Sequence, residues 1–315
     1  MHTNLIFLSY GGVIEYRRAI FCILSFLAWN PKIENIRVIV FTDSPDFFKK
    51  YLLNLNIEYV LLNSELEEKL MRGSDFIHSK KVGVIDMAFK SYPNTNQLFI
   101  DTDTFFLTDA SIMLNGFEEG KSFMHKREYM LKEGVDLFSS FDQGHYPKAF
   151  LNYISGRVFK INGIAESFNG EDYSWNSGVL ALHKTFSVYM NDVIKLTHKF
   201  YNNSKWFISE QLAFSLILQR KTKVRSAEKY IFHYWAKRQK MFMDNFLQNL
   251  FDQKLVSELN DQALNRRLTK KLETDIEIDL SIEQINIAFS RKDYFYAFKK
   301  GIRLILKKTF LFELI

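Results

Sequence analysis

Cysteine is almost missing: Cys22 is the only one in 315 residues. That excludes a disulfide framework and any cysteine-based zinc cluster, and it suits a reducing compartment. No apolar run approaches the ~18 residues of a membrane span. Residues 19–29 (AIFCILSFLAW) follow Arg17-Arg18 and faintly mimic a signal sequence. A strand-like run precedes them and no small-residue cleavage site follows, so they read as a buried helix. The phosphate-cradling pattern GxxxxGK[ST] is absent, and so is the dinucleotide pattern GxGxxG, which removes support for both nucleotide-binding loops. Proline is scarce, at four residues. Acidic and basic residues nearly cancel over most of the chain, since residues 291–315 hold seven basic residues against two acidic ones, or +5 of the net +6. A basic partner surface therefore belongs to the tail and not to the body.

What remains is a chain with 47% apolar residues, long enough for one large α/β domain or one domain with an appendage. Asn4 to Ser9 reads as a buried strand, broken by Tyr10-Gly11-Gly12, and Ile14 to Trp29 has helical length and spacing. Ile36 to Thr42 and Ile57 to Leu62 are further strands, with Asp43-Ser44-Pro45 as a helix start. A helix from about Lys80 to Ser91 leads to a fourth strand, Leu98 to Ile100. This alternation predicts a mainly parallel sheet covered on both faces, with ligands at the carboxyl ends of its strands.

At one such end stands Asp101-Thr102-Asp103, between Leu98-Phe99-Ile100 and Phe105-Phe106-Leu107. Buried carboxylates are costly unless paired or bound to a metal. Two aspartates spaced by one residue on extended chain point to the same side, offering hard oxygen ligands that suit Mg or Mn. A plain strand-end turn is the alternative. A haloacid-dehalogenase reading needs Thr or Val two residues beyond the second aspartate, and that position is Phe105.

Downstream, residues 123–169 are polar, aromatic and poorly periodic, an insertion-like loop region with short helices. Ser174 to His183 reads as one strand opened by Asn176-Ser177-Gly178, whose small residues let backbone approach a ligand. Phe186 to Tyr201 has helical spacing. Ser209 is a plausible N-cap for a helix beginning with Glu210 and Gln211, and Tyr230 to Trp235 is a short strand-like run carrying His233.

Together these pieces resemble the nucleotide-sugar glycosyltransferases of GT-A fold, most closely glycosyltransferase family 8, which includes bacterial lipo-oligosaccharide galactosyltransferases and glycogenin-like enzymes. FIDTDTFFLTD, WNSGVLALHK, SEQLAFSL and FHYWAK carry the resemblance, over about residues 4–240. FHYWAK lacks the glycine, proline and final tryptophan of the family's last motif, and Lys237 follows His233 more closely than usual there. The resemblance implies a GT-A catalytic domain over 1–240, a Mn2+ or Mg2+ ion on Asp101, Asp103 and His233, and a nucleotide-sugar co-substrate. It implies Lys81 at the diphosphate or the sugar, Lys237 at a phosphate, Asp101, Tyr10 and Asp43 near the nucleoside, and Asn176, Gln211 and Glu210 around the reacting sugar. A divalent metal would stabilise the charge that develops on the departing diphosphate. Retention is implied too, and it needs no base on the opposite face; an inverting enzyme would make Glu210 the base to suspect. A sugar nucleotidyltransferase and a non-catalytic membrane-associated scaffold are the alternatives.

Residues 241–315 read as a helical C-terminal region, with Ser281 to Gln284 resembling a capping box. From Lys292 onward Phe295, Phe298, Ile302, Ile305 and Leu306 repeat at helical spacing, with Lys299, Lys300, Arg303 and Lys307 between them. This predicts a basic amphipathic helix on an anionic membrane, and the family resemblance implies with it a cytoplasmic enzyme attached peripherally to the inner face and acting on a glycan or lipid-linked glycan. A helix docked on the body is the alternative, and the near-neutral body argues against nucleic acid.

Overall fold

The computed structural model describes residues 2–32, 34–52, 55–290, 292–296 and 298–303. The first hundred residues alternate as expected: β1 (Thr3–Leu8), α1 (Val13–Trp29), β2 (Ile36–Thr42), α2 (Pro45–Tyr51), β3 (Ile57–Leu61), α3 (Ser64–Met71), α4 (Ser79–Ser91) and β4 (Asn96–Ile100). The apolar runs 5–8 in β1, 38–41 in β2 and 98–100 in β4 are continuous because both faces of these strands are buried there. The side chains alternate between two cores. Leu5, Phe7, Val38, Val40, Leu98 and Ile100 join one, and Ile6, Ile39, Phe41 and Phe99 join the other.

After β4 come β5 (Thr104–Phe106), α5 (Ser111–Leu114), β6 (Lys121–Met124), β7 (Arg127–Met130), α6 (Gly134–Ser139), α7 (His145–Ile154), β8 (Val158–Ile161), β9 (Ile164–Ser167), β10 (Tyr173–Trp175) and β11 (Val179–Leu182). The chain continues as α8 (Met190–Ser204), α9 (Ser209–Lys221), β12 (Lys223–Ser226), β13 (Ile231–His233), α10 (Lys237–Gln253), α11 (Val256–Leu259) and α12 (Gln262–Ser290). The main sheet has seven strands in the order β12-β6-β11-β4-β1-β2-β3. Neighbours are parallel except at β11, which runs against both β4 and β6. The expected α/β architecture, a mainly parallel sheet flanked by helices, is the one observed.

Several sequence expectations are corrected. The stretch 123–169 is not all loop, because Phe123 and Met124 lie in β6, an interior strand of the main sheet. Its remainder is a lobe packed through Phe150, Phe159 and Phe168 against Phe200 and Trp206. Ser174 to His183 is two strands, not one: β10 pairs with β7, β11 with β4, and Asn176-Ser177-Gly178 turns between them. Ser209 is not an N-cap. It is the first residue of α9, and its hydroxyl donates to the Trp206 carbonyl at 2.6 Å. Ser281 lies inside α12, where its hydroxyl donates to the Glu277 carbonyl at 2.8 Å, so no capping box forms there.

The expected boundary at residue 240 falls inside α10. Met243, Leu247, Leu250 and Phe251 of α10, with Leu272 and Ile276 of α12, share one core with Leu5 and Phe7 of the sheet. Trp29 at the end of α1 donates its indole N–H to Thr269 on α12 at 3.0 Å. Among the described residues, no helix is long and apolar enough to cross a membrane.

Candidate metal and donor site

Asp101 follows directly on β4, and the chain bends through Asp101-Thr102-Asp103 before β5 begins. The segment is thus not extended strand, yet the aspartates converge. One ligand atom each from Asp101, Asp103 and His233 lie within 4.8 Å of one another. His233 arrives because β13 pairs antiparallel with β5, which sets it opposite Thr104. Asn176-Ser177-Gly178 arrives because β11 is the reversed strand, so its start meets the end of β4, and the Asp101 N–H donates to the Gly178 carbonyl at 2.9 Å. Helices leading into parallel strands begin at that same edge. Accordingly Lys81 sits in the first turn of α4, and Glu210 and Gln211 in that of α9.

These residues form one connected set. Lys81 Nζ donates to Asp101 Oδ2 at 3.0 Å, to the Ser177 carbonyl at 2.7 Å and to Ser177 Oγ at 3.0 Å, and lies 3.7 Å from Glu210 Oε1. Ser177 Oγ donates to Glu210 Oε1 at 3.0 Å, and the Ser177 N–H donates to Gln211 Oε1 at 3.2 Å. Asn176 Oδ1 meets His233 Nδ1 at 2.9 Å, and His233 Nε2 meets Asp103 Oδ1 at 3.1 Å. Asp103 is largely buried, which by itself opposes ionisation. The His233 ring and the Lys240 ammonium nonetheless hold its carboxyl far below the usual carboxylate range.

Tyr10 and Asp43 lie at the neighbouring strand ends. Asp43 Oδ2 accepts the Gly11 N–H at 3.0 Å and Oδ1 accepts the Tyr16 hydroxyl at 2.7 Å, so it fastens the glycine turn to α1. That turn uses Gly11 at φ 90° and Gly12 at φ 143°, backbone that L side chains rarely adopt. The Tyr10 ring has Lys80 Nζ 4.3 Å from its centroid. Lys237 opens α10 and is exposed, outside the connected set. Lys240, one turn further on, reaches Asp103 Oδ2 at 2.8 Å.

Two contributors escaped the sequence: Lys240, and Glu128, whose carboxylate accepts from Asn176 Nδ2 at 3.2 Å and from Gln211 Nε2 at 2.9 Å. Lys240 lies three residues beyond Lys237 on the same helix. Glu128 carried no signal, because it is one charge in the run His125-Lys126-Arg127-Glu128.

The donor set fits a divalent cation on two grounds. The Asp103 carboxylate accepts but cannot donate. If His233 Nδ1–H donates to Asn176, Nε2 presents a lone pair to that carboxylate, and two facing acceptors at 3.1 Å require a cation or a proton between them. The connected set also holds four carboxylates (Asp101, Asp103, Glu128 and Glu210) against the two ammoniums of Lys81 and Lys240, a deficit that one dication matches. Two hard oxygens with one imidazole suit Mn2+, and Mg2+ less well.

No family model matches the chain, and no curated protein does. Among solved structures it is similar in path to the galactosyltransferase LgtC in complex with donor and acceptor sugar analogues, with 12% identity, a TM-score of 0.47, and coverage of 80% of this chain and 97% of that one. It is similar to the glycosyltransferase GlyE of Streptococcus pneumoniae TIGR4 at 10% identity and a TM-score of 0.48, covering 86% and 64% of the two chains. It is similar also to mouse xyloside xylosyltransferase 1 in its apo form, at 13% identity and a TM-score of 0.44, covering 72% and 85%.

Proposed function

We propose that the chain is a divalent-metal-dependent glycosyltransferase that moves a hexose from a nucleotide-sugar, a UDP-sugar foremost, to a glycan or lipid-linked glycan with retention of configuration. The observation that carries it is the joining of Asp101, Asp103 and His233 to Lys81, Asn176, Glu210 and Gln211 in one hydrogen-bonded set at the carboxyl edge of the sheet. A bound Mn2+ or Mg2+ supplies Lewis-acid stabilisation of charge on the leaving diphosphate. The residues do the rest. Lys81 and Lys240 bring two ammoniums to where phosphate oxygens would lie, and the N-termini of α4 and α9 point the positive ends of their dipoles there. Asn176 and Gln211 supply the amides that would orient the sugar, and Glu210, tied to Lys81 and Ser177, would keep Lys81 in place. Tyr10 and Asp43 flank this edge on the side proposed for the nucleoside.

A thermal-shift screen of nucleotide-sugars tests the reading. The melting temperature rises when a UDP-sugar and Mn2+ are present together, because a ligand at 100 times its Kd stabilises the native state by about 2.7 kcal/mol. If no nucleotide-sugar shifts the transition with either Mn2+ or Mg2+, the assignment fails.

The tail is proposed to hold the enzyme on the inner face of an anionic membrane. Supporting this, a helix docked on the body would bury its aromatics, whereas Phe295 is 78% and Phe298 69% exposed, with Lys299 and Arg303 beside them. Ile305, Leu306 and Lys307 of the same pattern lie outside the described residues. Removing residues 292–315 is expected to lower binding to anionic vesicles while donor hydrolysis persists. Vesicle binding undiminished by the truncation would rule the attachment out.

A further inference from the structure

We propose that Glu128 is a positioning residue that, through the Asn176 carboxamide, fixes which nitrogen of His233 carries the proton and hence which one faces the metal. The inference rests on the metal-site reading above. Glu128 stands on β7, and the pairing of β7 with β10, irregular between Ser174 and Trp175, sets its carboxylate beside the Asn176 turn. Asn176 Nδ2 lies 3.2 Å from Glu128 Oε1. A carboxylate only accepts, so the atom facing it must be the amide NH2. On the other side the Gly178 N–H, which only donates, lies 3.0 Å from Asn176 Oδ1. The two neighbours therefore agree on the orientation of the amide. The oxygen it turns toward His233 Nδ1, 2.9 Å away, obliges that nitrogen to carry hydrogen. Nε2 is left to face Asp103 and the position of the metal.

The other oxygen of the same carboxylate orients the second amide of the site. Glu128 Oε2 accepts from Gln211 Nε2 at 2.9 Å and from Ser174 Oγ at 3.1 Å, which leaves Gln211 Oε1 for the Ser177 N–H. One side chain thus sets both carboxamides, Asn176 and Gln211. The His233 ring is also held in place by packing, edge to face, against His125 at 5.2 Å between centroids, so its remaining freedom is in the choice of protonated nitrogen. Partners of this kind behind a metal-ligating histidine typically change metal affinity ~10–100-fold when removed.

The test uses the full chain and reads the histidine directly. In the metal-free protein, imidazole 1H–15N spectra are expected to show an exchange-protected His233 Nδ1–H. In Glu128→Ala that signal weakens or moves to Nε2, and the Mn2+ Kd rises ~10–100-fold while the protein melts cooperatively. Polarity can also be exchanged. N176D sets two carboxylates face to face, and E128Q turns an NH2 toward the amide of either Asn176 or Gln211, whereas E128Q/N176D restores a donor against an acceptor and should recover most of the lost affinity and the Nδ1–H signal. A role in folding alone would not follow that pattern. An unchanged His233 Nδ1–H signal in Glu128→Ala overturns the proposal, as does failure of the double variant to improve on either single one. If the native protein binds no Mn2+, the metal reading falls, and the Nδ1–H signal still decides whether Glu128 sets the proton.

Discussion

Asp103→Ala abolishes Mn2+-dependent binding of the nucleotide-sugar and lowers turnover by ~100–1,000-fold or more, the loss typical when a main electrostatic contributor is removed from a reacting site. Asp103 is the most constrained of the three candidate ligands. Its side chain is 11% exposed, it faces His233 at 3.1 Å and Lys240 at 2.8 Å, and those two partners hold its carboxyl far below the usual carboxylate range despite burial. Truncation removes the oxygen between His233 and Lys240 and leaves Asp101, already held by Lys81, as the remaining carboxylate at the metal position. The fold should persist, because Asp103 stands in a bend at the sheet edge and its backbone carbonyl still accepts the Tyr234 N–H at 3.0 Å. Calorimetric titration of Mn2+ and UDP, beside a melting curve, checks this. Undiminished turnover in Asp103→Ala would sink the metal-dependent reading.

Gly178→Ala should be nearly as damaging, through a different route. A Cβ built on Gly178 comes within 2.4 Å of both Cε1 and Nδ1 of His233, closer than real contacts allow. The ring cannot recede cheaply, since Asn176, Asp103 and the His125 edge hold it on three sides. The added methyl must therefore overpack the site, at a cost of about 1–3 kcal/mol, or push His233 out of line with Asp101 and Asp103. Urea denaturation reads the first outcome and Mn2+ titration the second. Native stability together with native Mn2+ affinity would show that the close approach is not needed. Gly178 does not have a positive φ, so the expected loss comes from the missing space and not from backbone strain.

That result separates two kinds of information in the chain. Asn176-Ser177-Gly178 was readable as a place where backbone could approach something, because glycine lacks a side chain. What approaches is the ring of His233, 55 positions away, and only the pairing of β13 with β5 and of β11 with β4 brings the two together. The aspartates were readable by a similar local argument, since two carboxylates after a buried strand offer hard oxygen ligands side by side. Their convergence comes from a bend that a two-residue alternation does not describe.

Helix ends and serine roles were less legible. Ser209 and Ser281 both satisfied local capping patterns, yet each hydroxyl donates to a carbonyl three or four residues back. Which hydrogen bond a serine makes depends on where the helix begins, and packing sets that start: Trp206 is fully buried in the lobe core just ahead of α9. Lys237 satisfied proximity in sequence, but a helix beginning there turns it outward and brings Lys240 round to Asp103 one turn later. Glu128 left no local trace, because its partners Asn176 and Gln211 lie on a turn and a helix far along the chain.

The sequence by itself determined strands β1 to β4, because burial on both faces requires apolar runs and that requirement is written residue by residue. It also determined that the carboxyl ends of those strands carry acids, amides and small residues. Only the tertiary structure decided which of these meet. The reversal of β11, the starts of α4, α9 and α10, and the pairing of β7 with β10 are long-range choices. They brought Lys240 and not Lys237 to Asp103, joined Glu128 to Asn176 and Gln211, and set His233 between Asn176 and Asp103, since a hydrogen bond needs its donor and acceptor within about 3 Å and no local pattern in a chain encodes that distance.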